Sequence, residues 1–154
     1  QRLISQDEYL LLADYRAYYQ AHNCVETRPY DGIGPLLERL RQAGCKVAIV
    51  SNKPHGAACE LAEQFFPGVP TFGESPATPR KPAPDMVLHA LAALGADKDT
   101  AVYVGDSEVD VATARNAGLD MIGVAWGFRG RAALEAAGAP LVADTPEQLL
   151  DMLQ

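Results

Sequence analysis

Cysteine is scarce in these 154 residues. Cys24, Cys45 and Cys59 are odd in number and show no C-x-x-C spacing. That argues against a disulfide framework and a zinc site, and makes a reducing compartment, the cytoplasm, the expectation. No apolar run approaches the ~18 residues of a membrane helix. The opening stretch QRLISQDEYLLLADYR has neither the basic start nor the small-residue cleavage site of a secretion signal. Positive charge is in deficit. The net charge of −7 disfavours nucleic acid, whose phosphates it repels. A small anionic ligand stays open, because backbone N–H groups and one lysine outweigh a distant net charge locally. Also missing are a Walker loop, a G-x-S-x-G elbow and a dinucleotide glycine fingerprint. The three histidines, His22, His55 and His89, show no ligand spacing. His89 falls in a helical stretch, and His55 is close enough behind a turn to border a pocket.

The length suits one domain with a sizeable core. Four segments share a grammar: LLERLRQAGCKVAIV, VLHALAALGADKDTAVYV, VATARNAGLDMIGV and RAALEAAGAPLVA. In each, an apolar helical stretch ends at alanine and glycine and a strand follows. Gly44, Gly95, Gly118 and Gly138 stand where a helix needs a left-handed residue just past its end. The runs after them, Val47–Val50, Ala101–Val104, Met121–Val124 and Leu141–Ala143, are short and do not alternate, as strands buried on both faces do. Pro35 and Pro84 suit first helical turns, and Thr145-Pro146-Glu147 opens a last helix through Met152. The expectation is a Rossmann-like α/β fold: a mostly parallel sheet flanked by helices. Residues 1–22 differ. Leu3, Leu10, Leu11, Tyr15, Tyr18 and Tyr19 recur at near-helical spacing with no strand at once behind them, which reads as a helical accessory element. PYDGIGP (29–35) reads as the hinge into the sheet domain.

Ligands of open α/β sheets bind beyond the carboxyl ends of the strands. After KVAIV come Ser51, Asn52 and Lys53, and after AVYV come Gly105, Asp106 and Ser107. Asp106 reads either as a strand-end turn residue or as a carboxylate for a hard cation such as Mg²⁺. Ser107-x-x-Asp110 has the pattern of a capping box, which makes Asp110 structural first and an outer partner of a metal second. Ser51 and Asn52 read as a polar turn before a helix starting near Gly56, or as binders of phosphate oxygens. Lys53 reads as a rim charge. Lys81, in RKPAPD, is flanked by prolines that restrict its loop. It is a surface charge or an ammonium aimed at low entropic cost. Trp126-Gly127-Phe128-Arg129 follows a further strand end and reads as a loop around one buried aromatic, or as a pocket wall with Arg129 near an anion.

The order SNK, then the lysine of RKPAPD, then GDSEVD resembles the haloacid dehalogenase superfamily of phosphatases. With RPYDGI and WGFRG, it resembles the phosphoglycolate phosphatase-like members most. The resemblance covers residues 28 onward. It implies that Ser51 is the phosphate-binding hydroxyl, with Asn52 beside it. It implies that Lys81 neutralises phosphate and nucleophile, that Asp106 is a Mg²⁺ ligand, and that Asp110 is the second acid of that motif. Residues 1–28 then look like the C-terminal part of a helical cap, and 29–154 like the core. These roles suit phosphoryl transfer, which depends on positioning and charge neutralisation.

One departure stands out. The family's first motif, D-x-D-G-T/S after an N-terminal strand, has no match in residues 1–30; Asp7 and Asp14 lie seven apart without it. The family places that strand between those carrying Ser51 and Asp106. Its loss leaves buried N–H and C=O groups unpaired at roughly 1–3 kcal/mol each. Either a segment precedes Gln1, or this chain fills the gap by another pairing. The first functional expectation is a Mg²⁺-dependent phosphatase of a small phosphomonoester such as 2-phosphoglycolate, with an upstream aspartate as nucleophile. A dehalogenase would not need the metal. The alternative is a non-catalytic or degenerate module that binds phosphate or a protein partner. A phospho-acceptor receiver domain does not fit, because the order of hydroxyl, lysine and acid is wrong for it.

Overall fold

The computed structural model describes residues 9–12, 33–126 and 129–153, with residues 9–12 described in backbone only. Six strands form one parallel sheet: β1 (Tyr9–Leu12), β2 (Lys46–Pro54), β3 (Thr71–Glu74), β4 (Ala101–Gly105), β5 (Asp120–Val124) and β6 (Val142–Ala143), in the order β3-β2-β1-β4-β5-β6. The helices are α1 (Ile33–Gln42), α2 (His55–Phe65), α3 (Asp85–Leu94), α4 (Glu108–Ala117), α5 (Gly130–Ala136) and α6 (Pro146–Leu153). Strand, helix and parallel strand alternate as a Rossmann-like fold requires.

Strand periodicity divides the core. On β4, Ala101 and Tyr103 join α3, α4 and α5 through Met86, Leu91, Val111 and Leu134. Val102 and Val104 face the other way, against Leu36 and Leu40 of α1 and Leu149 and Leu153 of α6. Leu37, Val47, Ile49 and Ala62 pack α1 and α2 on the flank of β2. Burial on both faces is why these strands read as unbroken apolar runs. Gly44, Gly95, Gly118 and Gly138 all have positive φ, from 68° to 93°, and let the chain turn from helix to strand. Gln148 N–H donates to Thr145 Oγ1 at 3.1 Å, capping the last helix as expected.

The helical reading of residues 1–22 is corrected at Tyr9–Leu12. That segment lies between β2 and β4, with Tyr9 opposite both Lys46 and Ala101 and Leu12 opposite both Ile49 and Val104. The slot between β2 and β4 is filled by this chain's own pairing, with a segment the sequence reading gave to the cap. Inserted as a parallel rung, the four residues satisfy inward-facing N–H and C=O groups of both neighbours. The rest of the 1–28 cap reading and residues 29–32 of the hinge lie outside the described residues; Ile33–Pro35 open α1.

Candidate phosphoryl site

Ser51, Asn52, Lys53 and Asp106 lie at the carboxyl rim of the sheet. Ser51 and Asn52 are in the last half of β2, and Asp106 follows β4 directly. The loop between β3 and α3 brings Lys81 to the same rim, because Asn52 fastens it there. Lys81 N–H donates to Asn52 Oδ1 at 2.7 Å, and Asn52 Nδ2 donates to the Lys81 carbonyl at 3.5 Å. Asn116, from the end of α4, donates to the Pro82 carbonyl at 2.9 Å. The loop is thus held from two sides. Asn52 spends its amide on main chain, a contact the sequence reading, which offered it to phosphate, did not anticipate. Asn52→Ala is expected to release both groups and lower stability by about 1–3 kcal/mol, measured as a shift of the denaturant midpoint at unchanged slope.

The lysine side chain is buried along with its backbone. Lys81 Nζ lies 2.8 Å from Asp110 Oδ1, and both side chains are 2 % exposed. Asp110 is the most heavily bonded group in the site. Its Oδ1 also accepts from Tyr103 Oη at 2.8 Å. Its Oδ2 accepts from Asp106 N at 3.0 Å, Ser107 N at 3.2 Å and Ser107 Oγ at 3.1 Å. Asp110 N donates back to Ser107 Oγ, so the capping box read from Ser107-x-x-Asp110 is present at the start of α4. Five donors on two oxygens exceed the roughly four lone-pair directions of a carboxylate. What Asp110 does here is cap a helix and hold Lys81.

Ser51 is 2 % exposed, and its Oγ accepts from Lys53 N at 3.1 Å. Among the described residues no acceptor takes the Ser51 proton. A buried hydroxyl with a proton to give is a donor suited to an anion. Asp106 is half-buried at the mouth of β4. Among the described residues no group of three or more His, Cys, Asp or Glu side chains could hold a metal. A Mg²⁺ site needs less: one or two carboxylates, with waters and substrate phosphate completing the shell. Asp106 fits that demand. No helix of the described residues is long and apolar enough to cross a membrane.

The remaining candidates lie elsewhere or make structural contacts. His55 Nδ1 accepts from Gly73 N at 3.1 Å, tying the start of α2 to β3. His89 is exposed on α3. Trp126 packs half-buried on the α1–α6 face, and Arg129 Nε pairs with Glu108 Oε1 at 3.3 Å. Tyr103 was missed altogether, since a tyrosine inside an apolar strand carries no signal of its own.

Comparison with known proteins is decisive on family. The model of haloacid dehalogenase-like hydrolases matches residues 1–124. The chain belongs to the haloacid dehalogenase-like hydrolase family. The chain is 33 % identical over 126 residues to a phosphoglycolate phosphatase of Xanthomonas campestris, covering 77 % of the chain and 55 % of that protein. It is 30 % identical over 148 residues to the pyrophosphatase PpaX of Bacillus cereus, covering 93 % of the chain and 68 % of that protein. A crystal structure from Lactobacillus delbrueckii subsp. bulgaricus, of a protein assigned as a phosphoglycolate phosphatase, superposes with a TM-score of 0.82 at 44 % identity, covering 90 % of the chain and 59 % of the other. The chain thus spans little more than half the length of the Xanthomonas and Lactobacillus proteins.

Proposed function

We propose that the protein is a Mg²⁺-dependent phosphatase of a small phosphomonoester, 2-phosphoglycolate being the first compound to try, and that this chain supplies its phosphate-binding half. The observation that carries the reading is the convergence at one rim of a buried hydroxyl (Ser51), a buried ammonium (Lys81) and a half-buried carboxylate (Asp106). Relatives named phosphoglycolate phosphatase and pyrophosphatase support phosphate ester or anhydride chemistry.

In this reading Ser51 donates its proton to a phosphoryl oxygen. Lys81 keeps one donor on Asp110 and presents another to the phosphate, lowering the charge against which the nucleophile approaches. Asp106 holds the metal, and Asp110 stays one shell out as the anchor of Lys81. When bound, Mg²⁺ would neutralise phosphoryl charge and fix the oxygens in line. In this reading an aspartate outside the described residues attacks phosphorus, the ester oxygen leaves as the alcohol, and water then releases the phosphoryl group as phosphate.

The test is an assay of the full-length protein on a panel of phosphomonoesters, with Mg²⁺ and with a chelator. Turnover is expected only with the metal, and Asp106→Asn is expected to lower it by about 100-fold or more, in line with the loss of a charged group that stabilises transferring phosphate. Full turnover in the chelator, or a wild-type rate in Asp106→Asn, would remove Asp106 from the site. Absence of turnover on every ester, with inorganic phosphate still bound, would favour a non-catalytic phosphate-binding module.

A further inference from the structure

We infer that Tyr103 is a positioning residue for Lys81: its buried hydroxyl occupies one side of Asp110 Oδ1 and so sets the direction from which the lysine ammonium can meet that carboxylate. The inference rests on the phosphoryl-pocket reading for its functional consequence and on geometry alone for its structural part. Tyr103 is 0 % exposed, in the core between β4 and the layer of α3, α4 and α5. A buried phenol needs a polar partner, and this one has Asp110 Oδ1 at 2.8 Å, the same oxygen and the same distance as Lys81 Nζ.

Lone pairs on Asp110 set how its donors are arranged. An ammonium on a four-carbon stem has three rotatable donors and little directional preference of its own. A carboxylate oxygen offers about two lone-pair directions. On Oδ2 the Asp106 N–H, Ser107 N–H and Ser107 hydroxyl take them all. With Tyr103 on Oδ1, one direction is left for Lys81. The phenol is fixed in turn by strand geometry: Tyr103 is two residues before Gly105, on the face of β4 that looks at α4. Nothing in the described surroundings lets Asp110 turn toward another donor without breaking the helix cap.

Tyr103→Phe keeps the ring and its packing while removing the oxygen that donates to Asp110 Oδ1. The experiment uses the full-length protein in a double-mutant cycle of Tyr103→Phe and Lys81→Met, read by calorimetric titration with inorganic phosphate. Tyr103→Phe is expected to weaken phosphate about tenfold, the size of one hydrogen bond to a charged group. In the Lys81→Met background the same change is expected to do nothing. Wild-type affinity in Tyr103→Phe, or equal weakening in both backgrounds, overturns the inference. The second readout is the ¹H–¹⁵N resonance of the Lys81 ammonium, visible because burial slows its exchange. It is expected to shift or broaden in Tyr103→Phe, and an unchanged resonance overturns the inference even if Lys81→Met does not fold. If the wild-type protein binds no phosphate, the pocket reading fails, and the resonance alone then decides whether Tyr103 orients the lysine.

Discussion

Gly105→Ala is expected to destabilise this domain by about 3 kcal/mol or more, combining overpacking with disruption of a buried ion pair. A Cβ at residue 105 would stand 2.3 Å from Asp110 Cβ, 2.6 Å from its Cγ and 2.8 Å from its Oδ2. Such distances force one partner to move. A flexible surface side chain would swing away at little cost, but Asp110 is 2 % exposed and carries donors on both oxygens. Displacing it unseats the cap of α4 and the counter-charge of Lys81 together. For a chain of this size the loss corresponds to roughly 6–12 °C in Tm. Calorimetry or denaturant unfolding measures it, and a loss below about 1 kcal/mol would show that α4 can slide away from β4 as a body. The glycine is needed for close approach of strand and helix side chain, since its φ is not among the positive values.

Asp110→Asn follows closely in size. The amide keeps the shape of the carboxylate but brings one acceptor oxygen to a place where five donors converge. Its NH₂ must then face either the Asp106 and Ser107 N–H groups or the Lys81 and Tyr103 donors. Lys81 loses the carboxylate that lies 2.8 Å from its ammonium, and removing one partner of a buried pair costs about 3–5 kcal/mol. Phosphate affinity should fall as well, because the ammonium loses its anchor. The double variant Asp110→Asn, Lys81→Met is expected to recover part of the stability, since replacing both halves of a buried pair is far milder than removing one. If Asp110→Asn unfolds at the wild-type midpoint, the pair contributes nothing net and its role is confined to orientation.

Much of this fold was legible because its signals are local. The helix, glycine and strand grammar marks β2, β4, β5 and β6 within a few residues, and the left-handed glycines stand where the pattern puts them. β3 escaped because TFGE is short and lies between prolines and glycines, with no helix-ending glycine to announce it. β1 escaped because YLLL has no period of its own, and the leucines and tyrosines around it fall at helical spacing. What makes it a strand is a tertiary circumstance: two neighbours with unpaired edges. The site divides in the same way. The Ser107–Asp110 cap spans four residues and is readable. The meeting of Lys81, Tyr103 and Asp110 is assembled from three segments, and the use of the Asn52 amide on the Lys81 backbone has no local trace at all.

The strand order also has a bearing on when the candidate site can assemble during folding. β3 with β2, and β4 with β5 and β6, are two blocks built from near neighbours in sequence. Among the described strands β1 alone joins them by main-chain pairing, and its partners, Lys46 and Ala101 for Tyr9, are remote along the chain. Such non-local closure is entropically expensive and belongs to the late steps of assembly. Ser51 and Asn52 lie on one side of that seam and Asp106 and Asp110 on the other, with the Asn52–Lys81–Asp110 run crossing it as a clasp. That clasp forms only once the two blocks have joined.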